Sequence, residues 1–263
     1  MDALKPLLGR TLLLVAHPDD ESISCGALLQ RVREPIVVYG TDGGPQDEFF
    51  WGKHGSRENY VEVRKKEARA ALGAVGVTNV LWLADSDMKH FQDQHLFRHL
   101  PAAFEALRTL VERHKPDTIL TLAYEGGHPD HDSCNFLGRQ VADDLGLPAW
   151  EAPLYFRRGE SNVLLQEFHT KNGTEIELIP TPEEQRRKRQ MCEAYVSQRG
   201  VVSIFENNDR ERFRPMAAYD YSKPPHEGVL NYEAWQWPIK GQEVADKFQE
   251  FLRVITKRSV PAK

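Results

Sequence analysis

Two short stretches hold the residues whose types and spacing could do chemistry. Ala16-His17-Pro18-Asp19-Asp20-Glu21 places one imidazole and three carboxylates side by side. Gly127-His128-Pro129-Asp130-His131-Asp132 places two imidazoles and two carboxylates in a similar setting. Imidazole plus carboxylate is a donor set for zinc, and a His₂-carboxylate set leaves one position open for water. A bound zinc lowers the pKa of that water to about 7. The same residues also have a bland reading. Asp-Asp-Glu ahead of a helix is a normal capping pattern, and His-Pro-Asp can be an ordinary turn. Either loop alone fits that reading; two such loops on two strands of one sheet favour a ligand site.

The elements that must position these loops alternate along the first half of the chain. Residues 11–16 (TLLLVA), 35–40 (PIVVYG), 79–84 (NVLWLA) and 117–123 (DTILTLA) are short apolar runs, read as buried strands. Residues 21–33, 57–75, 95–114 and 132–145 read as helices, with Ala68, Ala71, Leu72 and Val75 on one stripe of the second. Such alternation predicts an α/β fold, a Rossmann-like three-layer sandwich with a mostly parallel sheet covered on both faces. Ligands of such sheets bind at the carboxyl ends of strands, so chemistry belongs in the loops after Ala16, Gly40, Ala84 and Ala123. Residues 1–150 are read as the Rossmann-like catalytic core. Residues 151–263 are read as a smaller α+β extension that completes the substrate cleft within the same compact domain. In it, 152–156 and 161–180 could hold two or three antiparallel strands, while 183–197 and 241–257 read as helices. Residues 199–240 show no clear period.

Composition narrows the function. Lys plus Arg is 34 against 39 Asp plus Glu, a net charge of −5. That excludes a mainly electrostatic nucleic-acid binder. Apolar runs of about five to seven residues fall far short of the roughly 20 that a membrane span needs, and mean hydropathy is −0.55, so no membrane insertion is expected. Asp2 and Arg10 argue against a signal peptide. Cys25, Cys134 and Cys192 are widely spaced and odd in number, which predicts free thiols and a cytoplasmic setting. Whether the chain forms a homo-oligomer is left open.

The two loops together resemble the PIG-L/LmbE-like zinc-dependent N-deacetylases, which act on N-acetylglucosamine-type substrates and related amides. Supporting the resemblance are Val38-Tyr39-Gly40-Thr41-Asp42-Gly43, the helix over 64–73 and, more weakly, Ser197-Gln198; it covers about residues 11–145. The resemblance implies one zinc per chain, with ferrous iron as an alternative occupant, held by His17, Asp20 and His131. It implies Asp19 as general base and His128 as the group that stabilises the oxyanion or assists the leaving amine. Asp130 would orient or charge-stabilise the His128 imidazole. Arg64, with Glu21, would contact the substrate, though Arg64 could equally pair with Glu67 or Asp20. The implied partner is a small N-acyl amino sugar or glycoconjugate, losing an acyl group that is most simply acetyl. Adjacent aspartates cannot point the same way, which agrees with a split of roles between Asp19 and Asp20. His128 follows Gly126-Gly127, which suits a mobile segment.

Other features carry less. Gly40-Thr41-Asp42-Gly43-Gly44 does not follow the first strand and is no dinucleotide fingerprint. His54, His90, His95 and His99 read as surface or satisfied histidines, Cys25 as packing, and the basic run 186–189 as the solvated face of a helix. Trp235, Trp237, Tyr219, Tyr221 and Tyr232 could line a sugar cleft or pack on one another. Two other functions stand as alternatives: metal-assisted cleavage of a different bond, such as a phosphoester, and a Rossmann-like ligand-binding module without catalysis.

Overall fold

The computed structural model describes residues 2–85, 91–160, 162–205 and 208–258. Five parallel strands form the body of the sheet: β1 (Arg10–Val15), β2 (Glu34–Tyr39), β3 (Val80–Trp82), β4 (Thr118–Leu122) and β5 (Ala149–Ala152). A hairpin of β6 (Tyr155–Arg158) and β7 (Asn162–Leu165) stands apart. Two antiparallel strands, β8 (Ile176–Leu178) and β9 (Glu211–Pro215), extend the main sheet on the far side of β5. The spatial order is β3-β2-β1-β4-β5-β9-β8.

Why the early strands read as unbroken apolar runs is visible in the packing. Leu12, Leu14, Ile36, Val38 and Ile119 point to one face of the sheet, and Leu13, Val15, Val37, Tyr39 and Leu120 to the other. Both faces are covered, so the two-residue alternation of a half-exposed strand is lost. On the first face lie helices α3 (Leu100–His114) and α4 (Pro129–Leu145) and the C-terminal helix α6 (Gly241–Arg258). On the other lie α1 (Asp20–Leu29), α2 (Arg57–Gly73) and α5 (Pro182–Glu193). The architecture is the expected three-layer α/β sandwich.

The order of the strands places the site. The chain runs from β1 outward to β2 and β3, then returns to lay β4 on the other side of β1, pairing Leu14 with Thr121. The loops leaving β1 and β4 therefore face each other at a topological switch point.

The second half differs from its sequence reading in detail. The strand expected over 152–156 is two strands: β5, parallel within the sheet, and β6 of the hairpin. The region without period contains β9, whose buried Glu211 and Arg214 pair with Lys188 and Glu151. Tyr219, Tyr221 and Tyr232 are packing residues. The Tyr219 hydroxyl donates to Glu151 at 2.8 Å and that of Tyr221 to Asn135 at 2.6 Å, and both rings meet Tyr124. Among the described residues, no helix is long and apolar enough to cross a membrane. His90 lies outside the described residues.

Candidate active site

The β1 loop turns on Asp19, whose backbone sits at φ 130°, a region that costs a non-glycine residue free energy. Four contacts hold it there. Its carbonyl accepts from Ser22 and Ile23, and its N–H donates to Glu21 Oε2 at 3.1 Å. The Arg64 guanidinium, reaching in from α2, bonds the carbonyls of Pro18 (2.5 Å) and Gly43 (2.6 Å) and Asp19 Oδ2 (3.1 Å). Gly43 permits this approach: at φ 70°, a Cβ there would lie 2.7 Å from Pro18 Cδ. Asp19 precedes α1, yet its side chain makes no capping bond. The capping reading of Asp-Asp-Glu therefore leaves the Asp19 carboxylate unexplained. Burial raises its pKa to about 8, with Arg64 offsetting part of the cost.

Asp20 points the other way. Its Oδ2 accepts from the backbone N–H groups of Ala16 (3.1 Å) and His17 (2.8 Å), and its Oδ1 lies 3.3 Å from His131 Nε2. Burial opposes its ionisation, but the two histidines overcome this and hold the carboxyl below its usual range. His17 Nδ1 is 3.6 Å from Asp20 Oδ2. Burial disfavours a charged His17 ring too, yet Asp93, Asp130 and Asp20 around it raise its pKa well above the ordinary value.

In the β4 loop, His128 takes the capping position of α4. Its Nδ1 accepts the N–H of Asp130 at 3.1 Å, and Pro129 fills the first helical position. An Nδ1 that accepts leaves the ring's proton on Nε2, which faces Asp93 Oδ1 at 3.5 Å. Burial and the neighbouring His17 lower the His128 pKa, so the ring is a neutral donor. His131, one turn into the same helix, is buried with Nδ1 unpartnered and Nε2 towards Asp20.

One nitrogen each from His17, His128 and His131 lies within 4.8 Å of the others; His17, Asp93, His128 and Asp130 form an overlapping group. These residues can hold a metal ion. Asp20 Oδ1 stands 3.3 Å from His131 Nε2 beside this group, while the N–H capped by His128 occupies the one free lone pair of that ring in its neutral form. The buried, orphaned Nδ1 of His131 is a further sign of a polar partner beyond the protein's own atoms.

One sequence expectation needs correction. Glu21 does not reach the cavity: it is fully buried and takes hydrogen bonds from Tyr39 (2.9 Å), Tyr195 (2.6 Å) and the Asp19 backbone, so it props the β1 loop from behind. Asp130 meets both histidines: its backbone N–H donates to His128 Nδ1, and its carboxylate, 3.8 Å from that nitrogen, favours a charged ring. Its Oδ2 lies 3.2 Å from His17 Nε2 while its two oxygens accept from Gln94 and Leu96. Gly127 of the Gly126-Gly127 pair has a packing role. A Cβ on Gly127 would meet the Tyr155 carbonyl at 2.2 Å, so glycine is there to let two backbones touch. Of the Arg64 alternatives, Glu67 is taken by Ser197, and Asp19 rather than Asp20 is the partner.

A cavity of about 340 Å³ opens onto this cluster, and His17, Asp19, Asp20, Arg64, His128 and His131 all line it. So do residues that sequence reasoning missed. Asp93 and Gln94 arrive from beyond β3 and stand beside the histidines; Phe50, Leu154, Tyr155, Val201 and Phe205 build the opposite wall. The only available signal for Asp93 was its place in the loop after the third strand. Trp235 and Trp237 do line the cavity, with Trp237 edge-on to His128 at 5.0 Å. His54, His95 and His99 are half-buried outside it.

The sequence pattern of the PIG-L family, described as GlcNAc-PI de-N-acetylase, matches residues 12–142. The chain belongs to that family. The match ends inside α4, so both loops fall within it. The chain is 27% identical over 150 residues to a probable N-acetyl-alpha-D-glucosaminyl L-malate deacetylase 2 of Bacillus cereus, covering 54% of this chain and 64% of that one. It is 30% identical over 137 residues to the 2'-N-acetylparomamine deacetylase of Streptomyces fradiae, covering 47% and 48%. The chain thus spans about half to just under two thirds of these relatives' lengths. A solved deacetylase of the teicoplanin biosynthetic pathway shares the fold, with a TM-score of 0.62 at 20% identity over 80% of this chain and 99% of that one.

The β4 loop rests on a buried acid with a readable pH signature. Glu125 Oε1 accepts from the N–H groups of Leu154 and Tyr155, while Oε2 has no partner. Burial raises its pKa to about 8. The folded state therefore keeps a proton that the unfolded chain releases near pH 4, so this group makes stability fall as pH rises from about 4 to 8. Glu125→Gln keeps a carbonyl acceptor for both N–H groups and cannot ionise. Its melting temperature should decline less than that of the parent between pH 5 and 8.5. Equal declines in thermal melts would contradict this reading.

Proposed function

We propose that this chain is a metal-dependent N-deacetylase that removes an acyl group, most simply acetyl, from an N-acylated amino sugar or related amide. One observation carries it: the buried face-to-face placement of His17, Asp19 and Asp20 against His128 and His131 at the switch point. His17, Asp20 and His131 would hold one divalent ion, zinc or ferrous iron by donor type. Such an ion, when bound, supplies Lewis acidity for the amide carbonyl and for water.

The chain's own groups do the rest. Asp19, free of capping duty, takes the proton from the attacking water. Its raised pKa suits a base working near neutrality, and a neighbouring cation would draw that value down. Arg64 fixes the carboxylate's direction without neutralising it fully. His128 offers a proton on Nε2 to the carbonyl oxygen as it gains charge, a contact worth about 3–4 kcal/mol in comparable sites. Asp130 holds the His17 ring, as carboxylates behind metal-binding histidines do. The nitrogen leaves as the amine after taking up the proton that Asp19 accepted.

Cleavage of a phosphoester usually calls on a two-ion clamp, whereas the described residues best fit one ion. A binding module without catalysis leaves Asp19 in a strained, costly position for nothing. An acetate-release assay across N-acetylated amino sugars, with phosphoesters alongside, tests the proposal. Acetate release from at least one amide is expected; phosphate release with no acetate would overturn it.

A further inference from the structure

The cavity is polar at its base and apolar towards its mouth. The charged and imidazole side chains sit together on the β1, β3 and β4 loops and, for Arg64, on α2, whereas Phe50, Val201, Phe205, Trp235 and Trp237 line the cavity from three other segments. Phe205 and Trp237 are partly buried against the core, and the other three stand further out. Phe50 is 38% exposed, Val201 45% and Trp235 47%. Phe49 and Ile204, next in sequence to lining residues, are more exposed still. Tyr155 meets Phe205 and Trp235 at about 6 Å, and Trp235 meets Trp237 at 5.2 Å, so the rings form a continuous surface. Exposed apolar side chains scattered singly need no explanation, but a contiguous patch at the mouth of a reaction cavity does. Keeping it in water costs free energy that a bound apolar group would recover.

We infer that the substrate is an N-acylated amino sugar carrying an apolar substituent on the sugar, such as an aryl or alkyl aglycone, which lies against the Phe50–Val201–Trp235 collar. This rests on the deacetylase reading. Continuity selects the occupant: the collar and the catalytic cluster line one cavity, so a ligand whose amide reaches His128 extends out between these side chains. Buried Ile23 and Leu154 line the cavity as well and suit a small acyl methyl near its base. The exposed collar is then left for the other end of the molecule. A wholly polar partner would meet the polar groups of Gln94, Gln198, Tyr60 and Tyr155 but would leave the collar wet.

The test compares the phenyl and methyl glycosides of N-acetylglucosamine, by acetate release and, independently, by quenching of tryptophan fluorescence. The phenyl glycoside should be preferred by roughly tenfold in kcat/KM and in affinity. That preference should shrink to about twofold or less in Trp235→Ser and, should that variant fold poorly, in Phe50→Ser. Equal kcat/KM and affinity for the two glycosides would overturn the inference. So would a preference for longer N-acyl chains with no effect of the aglycone. If neither glycoside is hydrolysed, fluorescence still decides whether the collar prefers an apolar group, and the wider acetate-release screen decides the deacetylase reading separately.

Discussion

Asp19→Asn should cut turnover by roughly 10²-fold or more while leaving metal content unchanged. The substitution keeps the size of the side chain and still offers Arg64 an oxygen, so the ion-pair geometry at 3.1 Å has a neutral counterpart. The backbone contacts that hold φ at 130° do not involve the carboxylate, and the loop should persist. What disappears is the only carboxylate of the β1 loop that is tied neither to backbone N–H groups, as Asp20 is, nor to tyrosine hydroxyls, as Glu21 is. Metal analysis of the purified variant beside an acetate-release rate checks both halves. Loss of metal with loss of rate would mean that Asp19 and Asp20 have exchanged roles.

The two histidines of the β4 loop should respond in opposite ways. His131→Ala should lose the metal and nearly all activity, because its nitrogen faces Asp20 in a buried site with nothing to replace it. His128→Ala would be ambiguous, since it also removes the cap of α4, worth about 0.5–2 kcal/mol. His128→Asn is the sharper variant. Asparagine caps helices well, so α4 should start as before, but the Nε2–H donor is gone. Metal should stay and kcat should fall roughly 10²- to 10³-fold with little change in KM, the mark of a contact made in the transition state. A metal-free His128→Asn protein would show that His128 is a ligand and that the reading of its ring proton is wrong.

Much of this was legible in the sequence, for a physical reason. Strands buried on both faces must be apolar throughout, so β1, β2 and β4 announce themselves, and the loops that follow them carry the chemistry. What escaped was held together by charge. β5 and β9 contain Glu151, Glu211 and Arg214, all buried in ion pairs, and such strands have no apolar signature. Asp93 lies far along the chain from both histidine loops, and only folding brings it to within 3.5 Å of His17 and His128. Glu21 was placed in the right loop but given the wrong neighbours. Sequence adjacency says which loop a carboxylate joins and not which way it points. The aromatic segment split as its burial dictates, with Tyr219 and Tyr221 bonded into the core, Tyr232 packed there, and the two tryptophans left at the cavity.

The central claim is that one divalent ion, held by His17, Asp20 and His131, supports amide hydrolysis in this cavity. Stripping the purified chain with a chelator and then titrating zinc or ferrous iron back, with metal content and acetate release read on the same samples, tests it most directly. The account predicts that acetate release is lost on stripping, returns in proportion to bound metal, and reaches its maximum near one equivalent per chain. Full acetate release by the stripped protein would contradict it.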